Sequence, residues 1–236
     1  PLTKATFRLS PGNAAEVFDK AMKICREEYP GPVHIGLPSD IANAEAADAA
    51  EFFPAEKNLI FSNDTDQIIS FLEKSRRPLI AAGLTASRHA IGNELIAFLE
   101  SFKIPVVLTP MAKGLIPEQH PCYAGVLFHA LSDYLEDLLD DTDLVIGLGY
   151  DQVEFNYESW MPDIPLVHFD VKQTDIPSFR NVVQYTGLPG EWFSILQRLD
   201  KSQIVFNKLK VQAIRDETAS VFNGFTDHFG PVTAFK

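Results

Sequence analysis

From Asp64 onward, apolar residues come in two alternating rhythms. Short unbroken runs, PLIAAGL (78–84), PVVLTP (105–110), DLVIGLG (143–149), PLVHFDV (165–171) and VVQYTG (182–187), have the length and composition of strands buried on both faces. Between them, apolar positions recur at helical spacing: Ile68, Ile69 and Leu72; then Ile91, Leu95, Phe98 and Phe102; then ALSDYLEDLL at 130–139. A last stripe of Trp192, Ile195, Leu196 and Leu199 closes the series. Helices alternating with doubly buried strands predict an α/β fold, a doubly wound parallel sheet of about six strands, five of which the pattern locates.

Upstream, the pattern is different. SPGNAAEVFDKAMKICREE (10–28) spaces Val17, Phe18, Ala21, Ile24 and Cys25 as an amphipathic helix, with Ser10 as N-cap and Pro11 at the first helical position. Val33, Ile35 and Leu37 then alternate in a short strand that Pro38 ends, giving an N-terminal helix-strand flank. Residues 42–63 lose periodicity and carry seven alanines among scattered acids, as a connection between compact parts would. The expected organisation is a flank at 1–42, a linker at 43–59, a nucleotide-binding-like domain at 60–200 and a trailing segment at 201–236. In that last segment 202–223 reads as a polar-faced helix or linker and the final dozen residues as loop. The chain begins at Pro1 and stops at GPVTAFK, which suggests a segment of a longer polypeptide.

Composition narrows the function classes. Of 236 residues, 32 are acidic and 20 are Lys or Arg, and the net charge of −12 comes with no basic cluster, so nucleic acid is not an expected partner. No apolar run approaches a membrane span and no signal peptide opens the chain. Two cysteines, Cys25 and Cys122, without a CxxC pair, argue against a disulfide framework and fit a reducing cytoplasm.

In an open parallel sheet ligands bind beyond the carboxyl ends of the strands. The candidates there are Gly83, Leu84 and Thr85 after the first run, Lys113 in the stretch Thr109 to Gly114 after the second, Gly147, Gly149 and Tyr150 after the third, and Asp170 with Val171 after the fourth. Glycines that admit a close backbone approach and an acid able to accept from ribose hydroxyls describe a nucleotide crevice in type, although GxGxxG is absent. The same glycines equally serve tight strand-to-helix turns, with Asp170 as a cap. His34 and His168 fall inside strands, where packing explains them, and no HExxH or HxxxH spacing suggests a metal. Ser39 and Ser87 lack a GxSxG elbow. Asp151, Glu154 and Glu158 could be imagined as paired general acid and base, but read first as a solvated acidic face.

Five motifs taken in order are more specific. GPVHIGLPSDI (31–41), RPLIAAGLTASRHA (77–90), IPVVLTPMAKGLIPEQHPCYAG (104–125), DTDLVIGLGYDQVEF (141–155) and PLVHFDV (165–171) resemble successive motifs of thiamine-diphosphate-dependent 2-oxo acid enzymes, most of all acetolactate synthases. The resemblance implies a central domain with the DHS-like NAD/FAD-binding topology, preceded by the end of a pyrimidine-binding domain and followed by a linker toward a pyrophosphate-binding domain. It implies thiamine diphosphate and Mg2+ in a longer parent enzyme, a small 2-oxo acid as substrate, and a homodimer or homotetramer. The family's catalytic glutamate lies upstream of this stretch and its GDG metal motif downstream; no GDG occurs here, so no catalytic residue is expected in this chain. Relatives use the central domain to hold FAD, to hold ADP as in oxalyl-CoA decarboxylases, or as scaffold. Ala81 and Ala82 stand where acetolactate synthases usually have glycines, and Val126, Leu127 and Phe128 replace a glycine-bounded motif, which argues against tight FAD binding. A module binding ADP or coenzyme A, or an empty scaffold, is the alternative. An NAD-dependent deacylase of similar topology would need a GAGxS opening and CxxC pairs, which are missing.

Overall fold

The computed structural model describes residues 2–27, 30–45, 65–128, 132–176 and 181–223. The chain divides into two compact units, Pro1–Leu59 and Ile60–Lys236. In the first, strands β1 (Ala5–Arg8) and β2 (Val33–Gly36) pair in parallel, Ala5 opposite Val33, and helix α1 (Ala14–Cys25) packs on them through Val17 and Ala21. The helix begins later than its sequence suggests. Asn13, not Ser10, is the N-cap residue; its side chain accepts the Ser10 amide at 2.7 Å and donates to the Arg8 carbonyl at 3.2 Å, which turns Ser10 and Pro11 into the bend that precedes the helix. His34, expected to be packed, is exposed on β2. Most of the connection read at 42–63, and the final dozen residues, lie outside the described residues.

The second unit runs α2 (Thr65–Lys74), β3 (Pro78–Ala82), α3 (Leu84–Arg88), α4 (Gly92–Phe102), β4 (Val106–Leu108), β5 (Tyr123–Val126), α5 (Glu136–Asp140), β6 (Leu144–Leu148), β7 (Leu166–Asp170), β8 (Val182–Thr186), α6 (Pro189–Leu196) and α7 (Lys208–Asn223). Its six strands form one all-parallel sheet in the order β5-β4-β3-β6-β7-β8. Alternate residues of each strand feed two apolar layers. Ile80, Ala82, Val106, Ile146 and Phe169 face one layer with α2, α4 and α6; Leu79, Ala81, Val107, Val145 and Leu166 face the other with α5, α7 and the segment 150–161. That two-sided burial is why these strands read as unbroken apolar runs.

Three elements differ from the sequence pattern. β5 adds an edge strand that the pattern does not locate. The helix read at 130–139 is a 3-10 turn at Ser132–Leu135 followed by the short α5, with 129–131 outside the described residues. Residues 208–223, open between helix and linker, are helical, and Val211 and Ile214 are buried in the second layer.

Successive strands step outward in one direction from β3 to β5 and in the other from β6 to β8, so the order reverses between β3 and β6. This switch point places the carboxyl ends of β3 and β6 side by side, where a doubly wound sheet offers a crevice.

Candidate functional site

The loops leaving β3 and β6 are pressed together at the switch point. A side chain at Gly83 would stand 2.6 Å from Tyr150 Cα and 2.8 Å from the Gly149 carbonyl oxygen. One at Gly149, whose φ of +52° already favours glycine, would stand 2.3 Å from the Ala86 amide nitrogen. The Thr85 amide, at the start of α3, donates to the Gly149 carbonyl at 3.0 Å. Gly83, Thr85, Gly149 and Tyr150 are therefore brought together, with Leu84 between them opening α3.

Tyr150 points into the second layer. Its hydroxyl donates to the Phe155 carbonyl at 2.5 Å and accepts from Trp160 Nε1 at 3.0 Å, and its ring stacks on Tyr157 with centroids 4.5 Å apart. Burial raises the Tyr150 pKa, against a lowering by the Trp160 hydrogen bond.

Gly147 lies inside β6, opposite His168 of β7. A methyl there would meet Tyr157 Oη at 2.0 Å and His168 Nδ1 at 2.9 Å; the tyrosine and histidine are themselves hydrogen-bonded at 2.9 Å. His168 Nε2 lies 3.6 Å from Asp170 Oδ2 and makes no hydrogen bond, while Asp170 Oδ1 accepts the Val171 amide at 2.6 Å. Tyr157, His168 and Asp170 are all buried, and complete burial drives the Tyr157 pKa well up. Gly147 and Asp170 thus adjoin the buried Tyr157–His168 pair, whereas Val171 reaches it only through its amide and turns its side chain into the other apolar layer. Lys113 stands apart: exposed, it pairs with Glu118 at 3.0 Å and lines a cavity of about 680 Å³ with Tyr123 and Arg215.

The acidic face expected at 151–158 is only partly solvated. Glu158 is exposed, and Asp151 Oδ1 accepts the Val153 amide at 2.9 Å. Glu154 turns inward instead. Its carboxyl lies by the Thr109 hydroxyl and the Met111 amide at the end of β4. Both carboxyl oxygens and Thr109 Oγ1 are shut off from solvent without a well-formed hydrogen bond, and burial raises the Glu154 pKa. Tyr157 and Trp160 are the residues that sequence reasoning missed, and Glu154, read with Asp151 and Glu158 as a solvated acidic face, is the one it misplaced. Their only signal is an aromatic and acidic stretch after a strand, which does not say which side chains turn inward.

The arrangement joins chain to chain more than it offers groups to a ligand. The Thr85 amide is committed to Gly149 and the two glycine loops are in contact, so that amide is not offered to a phosphate at the start of α3. Among the described residues no group of three or more His, Cys, Asp or Glu could hold a metal ion, and no helix is long and apolar enough to cross a membrane.

Residues 65–197, more than half of the chain, match the family described as "Thiamine pyrophosphate enzyme, central domain". The "Probable acetolactate synthase large subunit" of Methanococcus aeolicus is 28% identical over 194 residues, covering 77% of this chain and 32% of that protein. Pyruvate decarboxylase isozyme 2 of Saccharomyces cerevisiae is 29% identical over 137 residues, 55% of this chain and 24% of that one. The chain thus spans about a third or less of the length of these relatives. Among solved structures, a chain assigned as a thiamin diphosphate-dependent enzyme from Mycobacterium smegmatis superposes with a TM-score of 0.63 at 20% identity, over 85% of this chain and 40% of that chain, a likeness of fold.

Proposed function

Because the chain belongs to the thiamine pyrophosphate enzyme central-domain family, we propose that it forms the structural middle of an acetolactate synthase-like enzyme that converts pyruvate to 2-acetolactate. The observation that carries this reading is the acetolactate synthase relative that aligns with 77% of the chain, beyond the family match itself. Thiamine diphosphate and Mg2+ belong, on this reading, to parts of the longer protein outside these 236 residues. When bound, thiamine diphosphate supplies the electron sink that lets a 2-oxo acid lose carbon dioxide.

The chain's own residues contribute shape. The interlocked loops at Gly83 and Gly149 and the buried Tyr157–His168 pair hold the carboxyl edge of the sheet in one arrangement, against which other domains or subunits of a homodimer or homotetramer can pack. The commitment of the Thr85 amide to Gly149 and the packing of the two glycine loops favour scaffold use over a bound FAD, ADP or coenzyme A nucleotide.

The test is turnover by the longer protein supplied with pyruvate, thiamine diphosphate and Mg2+. Acetolactate is the expected product. No turnover of pyruvate or of any other 2-oxo acid overturns the proposal. Acetaldehyde as the sole product would favour a second reading, simple decarboxylation, which the pyruvate decarboxylase relative motivates.

A further inference from the structure

The cavity of about 680 Å³ that Lys113 lines lies at the edge of the sheet, between β5 and α7. The strand supplies one side of it, Ala124 to Val126, and α7 supplies the other through Gln212, Arg215 and Ala219. Arg215 ties α7 to the turn that leads into β5, donating through its terminal nitrogen Nη1 to the Glu118 and His120 carbonyls, each at 3.1 Å. The walls are therefore set by the fold, as in a pre-formed site, and the volume is in the range of small-molecule pockets.

The charges around it are balanced. Lys113 pairs with Glu118 at 3.0 Å, Arg215 is held by the two carbonyls and by Gln212 Oε1, and Asp216 Oδ1 accepts from Gln212 Nε2 at 2.7 Å. An ion entering the cavity meets both signs with no surplus to hold it, so the lining favours an uncharged occupant. One buried polar group is left over for such a ligand. Tyr123 is only 6% exposed and its ring belongs to the first apolar layer, so its hydroxyl end is what it brings to the cavity. Among the described residues that hydroxyl has no hydrogen-bond partner. Burial pushes the Tyr123 pKa up to about 12, which keeps it a donor at neutral pH. Arg215 Nε, also unpartnered, is shut off from solvent and is not offered there. Gly125 leaves open space where a side chain would stand, and Ala124, Val126 and Ala219 add apolar surface. An extended peptide suits this edge poorly: the β5 register against β4 shifts between Val106 and Val107, and Gly125 has a φ of +139°, so no regular edge is presented to another strand.

We propose that this cavity binds an uncharged, largely apolar small molecule bearing a carbonyl oxygen. The oxygen accepts from the Tyr123 hydroxyl, and the apolar body lies between β5 and α7. Bound there, the molecule fastens α7 to the edge of the sheet. The site lies two strands away from the switch point and does not depend on acetolactate formation.

The probes are two neutral aromatic carbonyl compounds of different shape, benzanilide and acridone, and 4-benzamidobenzoate, which keeps the benzanilide body and adds a carboxylate. Each is titrated calorimetrically into the 236-residue chain as wild type, Tyr123→Phe and Ala219→Leu, and amide hydrogen exchange of 208–223 is followed with and without probe. Wild type should bind at least one neutral probe with a Kd below about 1 mM and, where that probe is benzanilide, the carboxylate about tenfold more weakly. Tyr123→Phe should weaken binding about tenfold, through the lost hydrogen bond. Ala219→Leu, which fills the cavity from an exposed helix position, should abolish it. Exchange in α7 should slow on binding, with that of α2 and α6 unchanged. Failure of both neutral probes to bind, or binding of the carboxylate as tight as that of benzanilide, would overturn the proposal. Undiminished binding by Ala219→Leu would do the same, and it decides the matter should Tyr123→Phe lose its cooperative transition. Absence of acetolactate from the longer protein would remove the proposed function and leave these results standing.

Discussion

Gly147 leaves no space for a side chain, because Tyr157 Oη and His168 Nδ1 occupy the position a methyl would take, at 2.0 and 2.9 Å. Gly147→Ala should therefore cost about 2–4 kcal/mol, from overpacking and the lost buried hydrogen bond together. Tyr157→Phe alone should cost about 1 kcal/mol, since it removes one hydrogen bond and keeps the ring. In the Gly147→Ala background the same Tyr157→Phe change relieves the worst contact, so the double variant should be more stable than the sum of singles by about 1 kcal/mol. Urea denaturation of the four proteins measures this, and strict additivity would show that the methyl and the hydroxyl do not meet. Gly147 was legible in the sequence as a position demanding glycine, but not for what reason. Its obstacles come from a segment ten residues later and from the neighbouring strand, which periodicity does not report. Glu154 was misread for a similar reason: its spacing from Asp151 and Glu158 gives no sign that it alone turns inward. Its titration makes a prediction of its own. Burial raises its pKa above the ordinary 4.5, so the native state holds this proton more tightly than the unfolded chain. The associated stability is fully present below the unfolded value and is lost as pH rises through the folded one. Wild type should lose stability relative to Glu154→Gln over that window, and a difference that does not vary with pH would contradict it.

Among the elements, those buried on both faces were the most legible. β3, β6 and β7 are each buried along all five residues, so PLIAA, LVIGL and LVHFD stand out as strands without any alternation. β5 did not, because its four residues YAGV include Gly125 at φ +139° and its register against β4 shifts between Val106 and Val107. β1 was missed because only alternate residues of ATFR are partly covered, too short a run to separate from a loop. What fixes the starts of the central strands lies outside the apolar pattern altogether. Asp143, just before β6, accepts from the Ser75 hydroxyl at 2.6 Å and from the Arg76 and Arg77 amides at 2.9 and 3.0 Å, tying the approach to β3 to the approach to β6. Asp143→Ala leaves those donors without partners and should cost about 1–3 kcal/mol. Asp143→Asn, keeping one acceptor, should cost less. Chemical denaturation that ranks both with wild type would show the clasp to be solvated and dispensable.

At the scale of the whole molecule, the change in rhythm along the sequence corresponds to a change in how much core each part can build. Among the described residues of the first unit, Val17 and Ala21 are the only buried apolar side chains, whereas the second encloses its sheet between two apolar layers. Hydrophobic burial scales with the area removed from water, so the first unit should open at a lower denaturant concentration than the second. The two cysteines report on this separately, one in each unit. Cys25, on α1, is half-buried. Cys122 is 1% exposed, and burial pushes its thiol up to about 11. At pH 8 such a thiol is ionised to about one part in a thousand even when a reagent reaches it, so its labelling waits for the surrounding structure to open and restore an ordinary pKa. Thiol–disulfide exchange with an aromatic disulfide, followed across a urea series, should therefore show Cys25 reacting in native buffer and Cys122 protected until the main unfolding transition. With Cys25→Ser, the remaining slow phase should track the loss of the sheet's circular dichroism. If both thiols instead became reactive together in one transition, the two units would be a single cooperative body, and the weak core around Val17 and Ala21 would owe its stability to the second unit.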